Sequence, residues 1–186
     1  MRIVKTLVAA LILLIPSLCV SLPAHAGVDA ADEYEIKAAM YVNLVRLVDW
    51  PPGTYGSAAS PLIIGVAGSD DMAQALEKIA QSKSAPGTRP IKVRRITGAS
   101  AVECQSIFVG GGDKKKIQAI LDSLARSPVL TVGEDDRFIA LGGMIDLMVR
   151  NDRVQIEVNL DVAQTSGLTI SSRLLKIAII RTGGGQ

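Results

Sequence analysis

Histidine is almost missing from this 186-residue sequence; the only one is His25. Cysteine occurs twice, at Cys19 and Cys104. No apolar run beyond the first 26 residues is long enough to cross a bilayer. What these absences exclude depends on the N-terminus. Arg2 and Lys5 precede an apolar run at 7–15 that is too short to span a membrane. Ala24-His25-Ala26 then has the small-x-small form of a secretory cleavage site. Leu18 stands before Cys19 where a lipoprotein signal needs a small residue, so no lipid anchor is expected. The reading is a signal peptide at 1–26, an α/β domain at 27–182, a flexible tail at 183–186 and a periplasmic product with no stable membrane insertion. A chain beginning at Gly27 has no histidine for acid–base or metal chemistry, and Cys104 has no partner for an intramolecular disulfide. Losing Arg2 and Lys5 leaves 18 basic residues against the 18 acidic ones. A formal charge of zero argues against nucleic acid as a partner.

What is present is apolar patterning, with 48% hydrophobic residues, ample for a core. The clearest pattern lies at 141–160. Gly142-Gly143 opens a run from Met144 to Val149. Beyond Asn151-Asp152, Val154, Ile156, Val158 and Leu160 alternate with Gln155, Glu157 and Asn159. Period-two alternation around a two-residue Asx loop reads as a β-hairpin. Its register sets Val149 against Val154, Leu147 against Ile156 and Ile145 against Val158 on one core face. Asp146 then faces Glu157 on the other face.

The rest of the chain reads as α/β. Residues 31–49 form a helix with Ile36, Met40, Leu44 and Leu47 on its inner face, a stripe widened by Ala39, Val42, Val45 and Val48, and Trp50 with Pro51-Pro52 ends it. Residues 62–67 form a buried strand, followed by a helix to about 81 with Asp70 as its cap. A strand at 91–96 precedes a second strand–turn–helix unit. That unit is a strand at 104–109, Gly110-Gly111-Gly112-Asp113 and a helix at 114–126. A strand at 129–132, a helical turn at 135–141, the hairpin and a helical turn at 161–166 follow. A last helix at 173–180 is capped by Ser171 or Ser172. The expected fold is a single three-layer domain with a largely parallel sheet, helices on both faces and a C-terminal β-hairpin.

Few residues carry candidate chemistry. Asp146 opposite Glu157 is the kind of carboxylate pair used in acid–base catalysis. Like charges directly opposite in a hairpin are unfavourable. The expectation is an exposed acidic pair, solvated or partly offset by Arg150 and Arg153. Gly111, Gly112 and Lys114 at a helix start are candidates for holding an anion through backbone N–H groups and the helix dipole. The alternative is an ordinary turn with solvated lysines, since no P-loop spacing is met. Trp50 reads as packed over its own core. Cys104 reads as a buried small hydrophobe, and Ser171 and Ser172 as helix caps, since no histidine activates them. No catalytic, metal or cofactor residues are assigned, and no enzyme is expected.

Several segments together resemble the YfiR/HmsC family. They are Lys37-Ala38-Ala39-Met40-Tyr41-Val42-Asn43-Leu44 closing in Asp49-Trp50-Pro51, then Pro128 to Val132, Gly142-Gly143-Met144-Ile145, Val154 to Leu160, and Ser171-Ser172-Arg173-Leu174-Leu175-Lys176. The resemblance implies a periplasmic adaptor that binds the periplasmic region of an inner-membrane diguanylate cyclase and represses it, in cyclic di-GMP and biofilm control. It also implies homodimerisation and sequestration by an outer-membrane lipoprotein. Gly65 stands where relatives carry a first-strand cysteine, so a disulfide to Cys104 is lost. Asp146 and Leu147 replace an expected amide and aromatic. The alternative is a small-molecule-binding sensor using the carboxyl ends of the parallel strands.

Overall fold

Glycine turns and side-chain caps divide the chain into short elements that share one sheet. The computed structural model describes residues 30–57, 59–82, 88–97, 103–151 and 153–182. The expected signal peptide with Cys19 and His25, the tail at 183–186 and the turn residue Asp152 lie outside them. Helix α1 (Ala30–Val45) leads to strand β1 (Val48–Asp49). Strand β2 (Leu62–Ala67) and helix α2 (Asp70–Gln81) follow, then β3 (Ile91–Arg95). The second unit is β4 (Ser106–Val109) and α3 (Lys114–Ser123). After β5 (Leu130–Gly133) comes the hairpin of β6 (Ile145–Arg150) and β7 (Arg153–Asn159). Helix α4 (Leu160–Thr165), β8 (Thr169–Ile170), α5 (Ser172–Leu175) and β9 (Ile179–Arg181) complete the order.

Among the described residues, seven strands form one sheet in the order β3-β2-β4-β5-β6-β7-β9. Every pair is parallel except β6–β7. Strand β1 pairs antiparallel with β8 in a separate two-stranded ribbon. Helices α1 and α2 cover one face, over Ile64, Phe108, Val132, Ile145, Leu147 and Val158. Helix α3 covers the other with Ile117 and Leu121, joined by Leu124 just beyond its end, over Ile107 and Val109. This is the three-layer α/β architecture with helices on both faces. Chain order reverses beside β2, with β3 on one side and β4 on the other, so β2 and β4 flank the topological switch point.

Departures from the sequence reading have local causes. Helix α1 stops at Val45, and residues 48–49 leave it to pair with β8. Its inner face holds Leu44, Val42 and Val45 as expected, together with Ala38 and Tyr41, while Ile36 is 50% exposed. The Tyr41 hydroxyl meets Ser106 Oγ at 2.6 Å inside the core. Ser69, not Asp70, caps α2, accepting from Met72 N at 3.2 Å. Asp113 and Ser171 cap α3 and α5 as their residue types suggest. The last helix is four residues long, and the β-branched residues beyond it extend as β9 beside β7. Cys104 precedes β4 and is a buried free thiol. A Cβ added to Gly65 would stand 3.1 Å from its Sγ. That is about the distance between one Cβ and the far sulfur of a disulfide.

Candidate functional site

The hairpin register is the one its alternation implies, with Asp146 directly opposite Glu157 and Ile145, Leu147 and Val149 opposite Val158, Ile156 and Val154. Asn151 at the tip has φ +52, suiting an Asx turn. The exposed acidic pair, however, needs correction. Asp146 is 1% exposed, and neither carboxylate oxygen has a hydrogen-bond partner among the described residues. Both faces of the sheet are covered here. On this second face Met148 is buried too, and fully buried Phe138 sits over Gly133 and Gly143. A Cβ at Gly143 would fall 2.2 Å from the Phe138 ring, so that glycine is required for the ring to seat. Burial, then the charges of Glu157, Asp135 and Asp136, push the Asp146 carboxyl up to about 7.

Glu157 keeps its charge satisfied by a route absent from the sequence reading. Arg181 in β9 donates through Nη2 to Oε1 at 3.0 Å and through Nε to Oε2 at 3.1 Å. This bidentate pair fastens the outermost strand to the hairpin. Arg150 and Arg153 do not serve Glu157 in this way; Arg150 lies 3.5 Å from Asp136 instead.

The anion candidate also looks different in three dimensions. Asp135 turns its carboxylate toward Gly112, beside Gly111, and Arg137 bonds both Asp135 Oδ2 at 2.7 Å and the Gly112 carbonyl at 3.1 Å. Bonding from the Arg137 side chain, with added help from the Arg137 and Gly112 backbone N–H groups, holds Asp135 down at about 2. An internal carboxylate thus occupies the place proposed for an external anion. Lys114 opens α3 as an exposed side chain.

Trp50 is half-buried against the core, its Nε1 donating to the Gln105 carbonyl at 3.2 Å. Burial raises the Cys104 thiol, which disfavours a reactive thiolate. The two ends of the large sheet contrast in chemistry. Edge strand β3 carries Lys92, Arg94 and Arg95. Edge strand β9 carries Ile179 and Ile180, 43% and 45% exposed, with Ile177 beside it at 66%.

A family model described as YfiR/HmsC-like matches residues 34–179, from α1 into β9. The chain belongs to this family. YfiR/HmsC-like proteins are regulatory and in general periplasmic. Among the described residues no helix is long and apolar enough to cross a membrane. A crystal structure of an ABC domain in complex with L-Trp, from Streptococcus pneumonia, is similar in fold. It matches with TM-score 0.53 and 13% identity over 77% of this chain and 60% of that one. This YfiR/HmsC-like chain thus spans less than two thirds of that structure's length.

Proposed function

We propose that this YfiR/HmsC-like protein is a periplasmic adaptor that represses a membrane-bound diguanylate cyclase by binding its periplasmic region. The observation supporting it is the uncapped edge at β9. Natural sheets blunt their edges with charge, as β3 does with Lys92, Arg94 and Arg95. Among the described residues β9 pairs only with β7, and its first two side chains are half-exposed isoleucines. An extended or helical segment of a partner protein fits such an edge.

Repression across the membrane is a population shift. The cyclase needs two catalytic domains to meet in the cytoplasm. A ligand that prefers a non-productive arrangement by about 1.4 kcal/mol reduces the productive population roughly tenfold. An outer-membrane lipoprotein or a second copy of the chain would compete for the same edge. The test joins a gene deletion, read as cellular cyclic di-GMP, with a pull-down of the cyclase's periplasmic region. The reading expects cyclic di-GMP to rise on deletion, and capture by the wild-type protein to be lost with Ile177→Asp plus Ile180→Asp. Unchanged cyclic di-GMP with no cyclase captured removes the adaptor reading.

A further inference from the structure

A cleft of about 470 Å³ opens at the amino ends of β5 and β6, away from the switch point. Its walls include Leu121, Leu124, Leu141 and Met144, which give it an apolar body. Its volume falls within the range of roughly 300–1,000 Å³ common for small-molecule sites.

Two cationic or donor groups set its polarity. Asn159, 1% exposed, lines the cleft as the last residue of β7. Its Oδ1 accepts from Val162 N at 3.3 Å and caps α4, which fixes which way the amide faces. The Nδ2 on the other side is a buried donor with no acceptor among the described residues. Buried amide donors are seldom left so, and the residue that carries this one is part of the cleft wall. Arg126 also lines the cleft, and its φ of +63 places it in a conformation where glycine would be unstrained. A strained non-glycine residue at a cavity is a common sign of a binding role.

We propose that this cleft binds a small organic monocarboxylate with an apolar body, its carboxylate meeting Arg126 and the Asn159 amide. Asp122 and Asp161 also line the cleft and disfavour dianions such as phosphate. The competing apolar hollow beside Gly110 and Lys116, at the switch point, has less to offer. Its Gly110 N–H is already used by the Ala67 carbonyl at 2.7 Å. The inference is independent of the adaptor reading. It would give an adaptor a second input, because Asn159 is the register partner of Arg181 in β9.

The test is calorimetric titration of the purified protein with 4-methylpentanoate and with phenylacetate, alongside 4-methylpentanamide. The expected result is saturable binding of at least one acid and roughly tenfold or weaker binding of the amide. Arg126→Gly retains the backbone conformation and removes the guanidinium; Asn159→Asp retains the cap and replaces the donor by a carboxylate. Each should weaken the acid roughly tenfold or more while the thermal melt shows a folded protein. No saturable binding of either acid at millimolar concentration overturns the proposal. So does acid binding that neither substitution weakens in a folded protein.

Discussion

Two buried ionisable groups, Lys37 and Asp146, occupy opposite electrostatic situations. Lys37 is 5% exposed, with Glu33 Oε1 and Glu134 Oε2 each at 2.7 Å from its Nζ. Tyr34 also donates to Glu134 Oε1 at 3.0 Å. Burial by itself would lower the Lys37 pKa, but the hydrogen bonds to Glu134 and Glu33 outweigh it and hold it above the usual value. Asp146 is buried as deeply, has no cationic partner among the described residues, and the charges acting on it are all carboxylates. The lesson is that burial preserves a charge where partners are arranged for it and suppresses the charge where they are not. Lys37 works as a fixed cation joining α1 to the segment after β5. At Asp146, burial and the neighbouring carboxylates favour the neutral carboxyl, with its pKa raised to about 7.

Four substitutions break or sharpen this contrast. The largest effect is expected from Ile156→Asp, which places a carboxylate on the apolar face shared with Leu147, again without a partner. It should cost about 4 kcal/mol or more, read from urea unfolding. Next is Lys37→Met, which leaves Glu134 without its buried cation. A loss of about 3 kcal/mol is expected, because the remaining carboxylate keeps the Tyr34 hydroxyl but has no cation to offset its desolvation. If Lys37→Met were neutral, the pair would be decorative and the contrast with Asp146 would fail.

Third is Asp146→Asn, which should stabilise. The Asp146 pKa is raised in the folded state, so the folded protein binds more protons than the unfolded one between about pH 4 and 7. This contribution is fully present below the unfolded pKa, declines as pH rises and is lost above about 7. The amide that replaces the carboxyl cannot ionise, and its N–H can donate to Glu157. The variant should therefore exceed wild type by about 2 kcal/mol at pH 8 and lose that advantage by about pH 4. Melts that show the same difference at both pH values would assign the effect to packing instead.

The contrast also explains which parts were legible in the sequence. The hairpin register was readable to the residue, because period-two alternation and a two-residue loop admit one in-phase pairing. The buried strands and the two strand–turn–helix units were readable for similar reasons. The burial of Asp146 was not. Alternation says that Asp146 and Ile145 point to opposite faces; it does not say whether the second face is covered. The cover near it depends on Phe138 meeting Gly133 and Gly143, a contact between residues with no periodic relation. Strand β9 was misread as helix because a short run such as Ile177 to Ile180 fits either period, and only the vacant side of β7 decides. Arg181 was missed with it, and so was the clamp on Glu157. The unpaired Asn159 amide was hidden behind an ordinary capping role.

The smallest and most informative effect belongs to Glu157→Ala. Removing Glu157 takes away the like charge directly opposite Asp146. The structure adds an opposing loss, since Arg181 would then have no carboxylate to hold β9 against the hairpin. Arg181 is well exposed, and exposed pairs contribute little on their own. The two effects oppose each other, and the melting temperature at pH 8 should move by no more than about 3 °C. The pH profile should move more. The Glu157 charge is the largest electrostatic cause, after burial, of the raised Asp146 pKa. Removing it should shift the fall in stability toward lower pH, still above the normal aspartate range because burial persists. A profile unchanged in position would show that burial alone sets Asp146, and the buried group would then be a passive casualty of packing. A profile displaced downward with little change in the melt would show that the edge strand's anchor also sets the proton affinity of the residue beneath it.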